Sequence, residues 1–420
     1  MKLGKEDQMK KDIIVVGGGA IGLFCAYQLV KQGRKVTVID KEDITNGTSF
    51  GNAGLVSCFG KNPLSTPGII TDTIKLMLKG QSPMNFHPST DWKLYRWLLK
   101  FATSANEKRV EKSLALFERY GRLSLDIYSK MTSEDKMDFY FHQDGLLMIY
   151  TEQASFDKKV KISQDEEKYL ILSKSETKKY MPCANDKIIG SVLLKENGHI
   201  DPGLMMKELK SYLISQDVEF LLNEEVQRLE FNQNKVSKII TNKNAYEADT
   251  FILSTGWNDT LAKQAKNDFL MTPAKGYSIT FEMKEELRPK TCALFADQFI
   301  AMTPRKDTVR ITSKLELGTT NKDVIKKQID SIKHNLSLFT NEFEMKNAVE
   351  WTGFRPLAPD DMPILGYDKN YSNLIHATGL GWLGITFAPS IGHIISNLLV
   401  NEKSNKNSSD ILLFSQFYQI

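Results

Sequence analysis

Arg355 lies in WTGFRPLAPDDMPILG, Trp351 to Gly366, held between Phe354 and Pro356 in a stretch crowded with residues that stop helices and strands. A planar guanidinium grips a carboxylate through two parallel hydrogen bonds, and stiff neighbours keep such a fork aimed. Its chemistry is therefore carboxylate binding. The partner is either a small acid taken from solution or an acid of the chain itself, such as Asp360 or Asp361. A second constellation stands near the start: Gly17-Gly18-Gly19-Ala20-Ile21-Gly22, with Asp40 and Lys41 further on. Gly17 allows a tight turn, Gly19 lets a pyrophosphate approach the backbone, and Gly22 lets a helix and strand pack closely. A helix opening at Ala20 and Ile21 offers N–H groups and a positive dipole end to phosphates. Asp40 can accept hydrogen bonds from ribose hydroxyls. An acid there argues against a 2′-phosphate, so NADP is disfavoured, and FAD and NAD remain.

These residues need elements to position them. DIIVV, from Asp12, is an apolar strand, and AIGLFCAYQLVKQG carries Leu23, Ala26, Tyr27 and Val30 at helical spacing before stopping at Gly33. KVTVID ends at Asp40 as a second strand, giving the βαβ start of a buried parallel sheet. Helices are expected at residues 69–79, 91–105 and 109–131, and a strand at 144–151. Asp201-Pro202 reads as a cap and first turn, opening a helix to about Ile214. Strands follow in VEFLLNEEVQRLEF, which contains Val226, and in KVSKIITN and DTFILSTG. Further on, GYSITFEM, FIAMTP and VRITSKLEL read as strands, with a helix near 322–340. NLIHATG is the last core strand, and Gly384 to Val400 the last long helix.

So irregular an alternation is not a simple βαβαβ ladder. It implies a Rossmann-like dinucleotide-binding domain made of residues 9–80, 200–268 and 352–420. Woven into it is a substrate domain, 81–199 and 269–351, on a mixed, largely antiparallel sheet with helices. The class is α/β plus α+β.

Composition narrows the partners. With 420 residues, 41% of them hydrophobic, the chain can bury a large core. A net charge of +4 spread along the chain gives no nucleic-acid surface. Cys25, Cys58, Cys183 and Cys292 stand far apart, which fits reduced thiols in a cytoplasmic protein and argues against a metal site. No leader sequence and no apolar run long enough to span a bilayer are recognised. MKLGKEDQ reads as a polar extension with Met9 an alternative start, and the tail from Asn401 as loose.

Three stretches favour FAD over NAD. GTSFGNAGL places small residues, among Thr48, Ser49, Asn52, Ala53, Gly54 and Leu55, where the chain must lie against a flat ring. STGWND ends a strand with Thr255, Gly256 and Trp257, a second approach to the cofactor. HATGLGWLGIT is a late strand-to-helix turn whose Gly379, Gly381, Trp382, Leu383, Gly384, Ile385 and Thr386 can face the pyrimidine side of a flavin. A helix N-terminus there would favour reduction, because negative charge accumulates at that edge.

Together these motifs, with the G-x-R-P at Gly353 to Pro356, resemble the D-amino-acid oxidase superfamily of FAD enzymes over nearly the whole chain. TSFGNAG and PAKGYS (Pro273 to Ser278) look most like the bacterial D-amino-acid dehydrogenases of the small-subunit type. Two departures stand out: Asp40, where that family more often has glutamate, and Trp382, where related enzymes often have histidine. The resemblance implies non-covalent FAD and hydride transfer from the α-carbon of a D-amino acid to flavin N5. The imino acid then gives a 2-oxo acid and ammonia, and electrons pass to a quinone or another carrier.

It assigns the substrate carboxylate to Arg355. Tyr277 is a second catalytic candidate, although a sheet tyrosine packed by its ring fits its position as well. Lys275 is expected to be solvated, His199 to sit at a domain joint, and His376 to pack in the core. The main alternative is a glycine- or sarcosine-type oxidase making peroxide. Beyond it stand a non-catalytic flavoprotein and an NAD-linked dehydrogenase. Two basic amphipathic stretches bear on the acceptor: Ile70, Ile74, Met77 and Leu78 edged by Lys75 and Lys79, then Leu94, Trp97, Leu98 and Phe101 edged by Lys93, Arg96 and Lys100. They suit peripheral contact with the inner membrane, though packing against the second domain is the expected role.

Overall fold

In a computed structural model of the protein, residues 11–44, 47–60, 63–68, 71, 73, 75, 82 and 84–400 are described. Met9, the apolar face Ile70, Ile74, Met77 and Leu78 of the helix expected at 69–79, and the tail from Asn401 lie outside them. The chain divides into two compact units, Met1–Ser49, Met206–Thr272 and Pro356–Ile420 in the first, Phe50–Met205 and Pro273–Arg355 in the second. Phe50 to Leu55 and the Asp201-Pro202 helix start thus fall with the second unit, not the first. The reason is local pairing. Leu55–Val56 runs antiparallel to Gly198–His199, and the Ile200 N–H donates to the Gly54 carbonyl at 2.9 Å.

The first unit is built on a six-stranded sheet, in the order Ile364–Tyr367, Leu374–Thr378, Ala248–Leu253, Lys11–Val16, Val36–Ile39, Glu219–Leu221. All neighbours are parallel except the first pair. Ile13, Ile14 and Val15 are fully buried, as a strand covered on both faces requires. The crossover helix Ala20–Lys31 packs so closely on Gly384–Val400 that a Cβ on Gly392 would stand 2.4 Å from the Phe24 carbonyl. Contrary to the sequence expectation, Gly381–Val400 is apolar and long enough to cross a bilayer, but 78% of that window is buried inside the protein. Its apolarity serves core packing. A three-stranded antiparallel sheet, Val226–Asn232, Lys235–Thr241 and Ala245–Tyr246, completes the unit.

The second unit carries a mixed, mostly antiparallel sheet. Its order is Lys346–Leu357, Thr272–Glu282, Val309–Leu317, Ile300–Pro304, Cys292–Phe295, Leu146–Tyr150, Gly190–Leu194, Tyr169–Ser173. The helix Lys326–Ser337 backs it, with Ile329, Ile332 and Leu336 in one cluster with Tyr277, Ile279 and Phe281. It starts later than expected because the Asn321 side chain accepts the Asp323 N–H at 2.7 Å, a local turn that competes with helix.

One expectation changes here. WTGFRP is no loop: it belongs to the strand Lys346–Leu357 at the sheet edge. An edge strand tolerates Pro356, because one side needs no ladder donor. The helix Trp92–Ser104, capped by Asp91, buries Leu94, Trp97 and Phe101. At ~2 kcal/mol per buried side chain, that face is committed to the protein interior rather than to lipid.

Candidate functional site

The first unit gathers three loops at the ends of its parallel strands. Gly17 has φ +105, and a Cβ there would stand 2.4 Å from the Ser254 carbonyl. Ser254 itself donates to the Val16 and Gly17 carbonyls at 3.1 and 2.8 Å, tying the second loop to the glycine turn. Thr378 donates to the Gly256 carbonyl at 2.7 Å and ties in the third. A Cβ on Gly22 would lie 1.9 Å from the Gly17 carbonyl, so helix and turn meet backbone to backbone. Gly19 opens the helix with no side-chain cap, and the nearest atom to its would-be Cβ is Ser49 Oγ at 3.6 Å. That combination, open space before uncapped N–H groups, suits a pyrophosphate.

Asp40 stands where a ribose acid should. Its Oδ2 accepts the Gly18 N–H at 2.6 Å and its Oδ1 the Glu42 N–H at 2.8 Å, leaving further lone pairs for hydroxyl donors. Burial pushes its carboxyl above the usual range, opposed by those two N–H groups. The Ala20 N–H donates to Ser49 Oγ at 3.0 Å, with Ile21 half-buried behind it and Thr48 preceding the serine. Lys41 is exposed. Glu224, two residues before Val226, donates its N–H to the Asp40 carbonyl at 2.9 Å, which brings that strand start alongside. Thr255 closes a turn on the Asn258 carbonyl at 2.6 Å, and Gly256 at φ +62 has open space on its side-chain side, next to half-buried Trp257. Gly379 and Gly381 take φ +84 and +52, values only glycine adopts freely. Half-buried Trp382 and buried Leu383, Ile385 and Thr386 follow around Gly384, the first residue of the long helix.

In the second unit, Asn52 accepts the Gly54 N–H at 2.9 Å, and Gly54 at φ +85 lies against the Ile200 carbonyl, between half-buried Ala53 and Leu55. This loop is held by a residue that sequence reasoning missed. Buried Arg310 donates from Nη1 to the carbonyls of Phe50 at 2.6 Å and Asn52 at 3.0 Å, and from Nε to Thr280 Oγ1 at 2.9 Å. Burial, then the charge of Arg305, pushes its guanidinium down to about 9. Arg305 is itself paired with Asp201 through both carboxylate oxygens. Trp351, also missed, lays its ring where side chains on Gly51 and Gly353 would go. Alternation along the edge strand puts Trp351, Gly353 and Arg355 on one face, a signal readable in W-x-G-x-R once that segment is recognised as strand.

Arg355 keeps partial solvent access, yet desolvation pushes its guanidinium down to about 10. Its Nη1 donates to the Lys314 carbonyl at 3.2 Å. Among the described residues no carboxylate pairs with it. A cation so desolvated and without a counter-ion is a ready anion site.

The structure does not bring Tyr277 to that guanidinium. Side chains alternate along Thr272–Glu282, and Arg355 lies on the face of Gly276. Tyr277 points to the opposite, core face and donates its hydroxyl to buried Glu316 at 2.7 Å; burial and that carboxylate hold its own pKa far up. Lys275 is on the same side and is buried, not solvated: its Nζ donates to the Asp323 carbonyl at 2.7 Å. His199 is buried in the short strand that pairs with Leu55, its ring stacked 5.2 Å from that of His142. His376 packs in the core with Nε2 2.8 Å from Asp368.

Comparison with known proteins is consistent with this geometry. The profile of the DAO family, FAD dependent oxidoreductases, matches residues 12–398. The chain is 59% identical over 411 residues to a D-amino acid dehydrogenase of Helicobacter pylori, covering 98% of this chain and 100% of that one. It is 27% identical over 412 residues to a D-amino acid dehydrogenase of Vibrio vulnificus, covering 96% and 98%. Among solved structures, a glycine oxidase from Bacillus cereus superposes with a TM-score of 0.73 at 19% identity, covering 95% of this chain and 97% of the other. This protein belongs to the DAO family of FAD-dependent oxidoreductases.

Proposed function

We propose that the protein is an FAD-dependent D-amino-acid dehydrogenase, the first unit carrying FAD and the second carrying the substrate handle. The observation that carries the substrate side is Arg355, a desolvated guanidinium with no carboxylate partner among the described residues. A D-amino acid supplies that partner in its own carboxylate. FAD would be held by the Gly17–Gly22 turn and Asp40, by Thr48 and Ser49, and by the loops at Thr255 and Gly379. When bound, it accepts hydride from the substrate α-carbon, so that the imino acid can hydrolyse to a 2-oxo acid and ammonia. The protein's part is positional: Arg355 fixes the carboxylate, and with it the direction of the α-carbon hydrogen.

Electrons leave to an acceptor, which we take to be a quinone or similar carrier reached by peripheral contact with the cytoplasmic face of the inner membrane. Support comes from the outward side of helix Trp92–Ser104, where Trp92 is 72% and Leu99 68% exposed beside Tyr95 and Lys100. Tryptophan and tyrosine favour the water–lipid boundary.

Anaerobic bleaching of the bound flavin with paired D- and L-amino acids tests the reading. D-isomers are expected to bleach it and L-isomers not. Arg355→Lys keeps the charge without the fork, and its KM is expected to rise ~10–100-fold, the worth of one charged hydrogen bond, with flavin retained. An unchanged KM would remove Arg355 from the site. Peroxide formed in air at the rate of turnover would make the protein an oxidase instead.

A further inference from the structure

Strand pairing fails locally beside Arg355. Lys275 faces Glu316 and Tyr277 faces Ser313, so where one strand advances two residues its partner advances three. The extra residue falls at Lys314–Leu315, and Lys314 takes φ +66, a left-handed backbone uncommon for a residue with a side chain. A bulge of this kind re-aims the groups around it. Here the re-aimed group is the Lys314 carbonyl, which accepts Arg355 Nη1 at 3.2 Å.

The opposite wall is made by an absence. A Cβ on Gly276 would stand 2.2 Å from Arg355 Nη1 and 2.5 Å from both Cζ and Nη2, so the guanidinium occupies the room a side chain would need. Thr352, on the strand of Arg355 itself, donates its hydroxyl to the Gly276 carbonyl at 2.9 Å and pins the two strands together.

We propose that Gly276 and Lys314 are positioning residues that form a socket for the Arg355 guanidinium and set the angle at which its fork meets a substrate carboxylate. A carbonyl suits this work. It takes one of the five guanidinium N–H groups without neutralising the charge, where a carboxylate in the same place would hold the arginine permanently. The left-handed residue places that carbonyl, and local strain is commonly retained where a functional group must be held. The proposal rests on the carboxylate-clamp reading of Arg355.

The test uses purified holoenzyme variants. D-lactate serves as a non-amino carboxylate probe, its Kd read from the flavin difference spectrum, and KM and kcat are measured for D-alanine with a dye acceptor. Gly276→Ala displaces only the far end of a flexible side chain. It is therefore expected to melt within a few degrees of the parent and keep its flavin, yet raise Kd and KM at least tenfold. Lys314→Ile, which resists the left-handed backbone, is expected to raise both several-fold, and Lys314→Gly, which adopts it freely, to recover most of that loss. The socket is overturned if Gly276→Ala leaves the D-lactate Kd unchanged while Arg355→Lys raises it. Equal damage from Lys314→Gly and Lys314→Ile would overturn it too, by assigning the effect to the lysine side chain. If Arg355→Lys also leaves Kd unchanged, it is the clamp itself that fails.

Discussion

On the proposed reading, the two units would approach an anion by different means. In the first, the donors are backbone N–H groups at an uncapped helix start, and the specialised residues are glycines that remove obstacles from it. In the second, the donor is a side chain on an edge strand, held by residues from two other strands. A backbone cradle is stiff: its glycines meet neighbouring carbonyls directly, so a substitution is tolerated wholly or not at all. A side-chain socket is assembled from distant positions and can be detuned in small steps. The two should therefore fail differently.

The largest effect is expected in the backbone cradle. With a Cβ on residue 22 only 1.9 Å from the Gly17 carbonyl, Gly22→Ala forces helix Ala20–Lys31 off its strand. Backbone cannot yield as a rotamer can, so a loss of more than about 3 kcal/mol is expected, together with loss of flavin. The flavin-to-protein absorbance ratio after purification checks it. A variant that keeps stoichiometric FAD and its melting temperature would show that this cradle tolerates detuning as the socket does.

The same difference explains what sequence could reveal. Gly17, Gly19, Gly22 and Asp40 were legible as a set because strand, turn, helix and acid come in a fixed order, although the Ser254 carbonyl that crowds Gly17 lies far away in sequence. Arg355 was legible as a residue but not in its setting. Pro356 and the glycine made its segment read as loop, because one chain alone does not say which strand lies at a sheet edge. Tyr277 stood between two roles and Lys275 was misjudged for a related reason: which face of a strand meets the core depends on partners such as Glu316 and the helix Lys326–Ser337. Arg310 read as one polar position in VRITSKLEL, and its partners, Phe50 and Asn52, lie far away in sequence.

Arg310 offers the next test, of intermediate size. Its guanidinium joins Thr280 to two carbonyls of the Asn52 loop, and in Arg310→Met those half-buried acceptors lose their donor. A loss of roughly 2–3 kcal/mol is expected. Urea denaturation of the variant beside the parent measures it. If the two unfold at the same midpoint, the loop does not depend on this arginine for its stability.

The smallest effect separates a buried ion that is complete from one left open. Asp368 in the first unit is fully provided for. Its Oδ2 meets His376 Nε2 at 2.8 Å and the Asn267 amide at 2.5 Å, while its Oδ1 accepts the N–H groups of Asn370 and Tyr371 at 2.7 and 3.0 Å. Burial alone would raise its pKa, but the bonds from His376, Asn370 and Asn267 outweigh that and hold it below the usual carboxylate value. A depressed carboxylate contributes stability above its unfolded pKa of about 3.9, and that contribution is lost as pH falls through the folded value. Asp368→Asn is therefore expected to be less stable at neutral pH by about 1–2 kcal/mol, and to converge with the parent as the pH drops below about 4. Melting temperature followed from neutral to acid pH checks this, with KM for the amino acid measured alongside. Arg355→Lys should give the reverse pattern, affinity lost and stability kept, because among the described residues its desolvated charge lacks the partner that Asp368 has. If Asp368→Asn shifts KM while its melting curve tracks the parent at every pH, completeness of partners would not be what divides structural from functional ions in this protein.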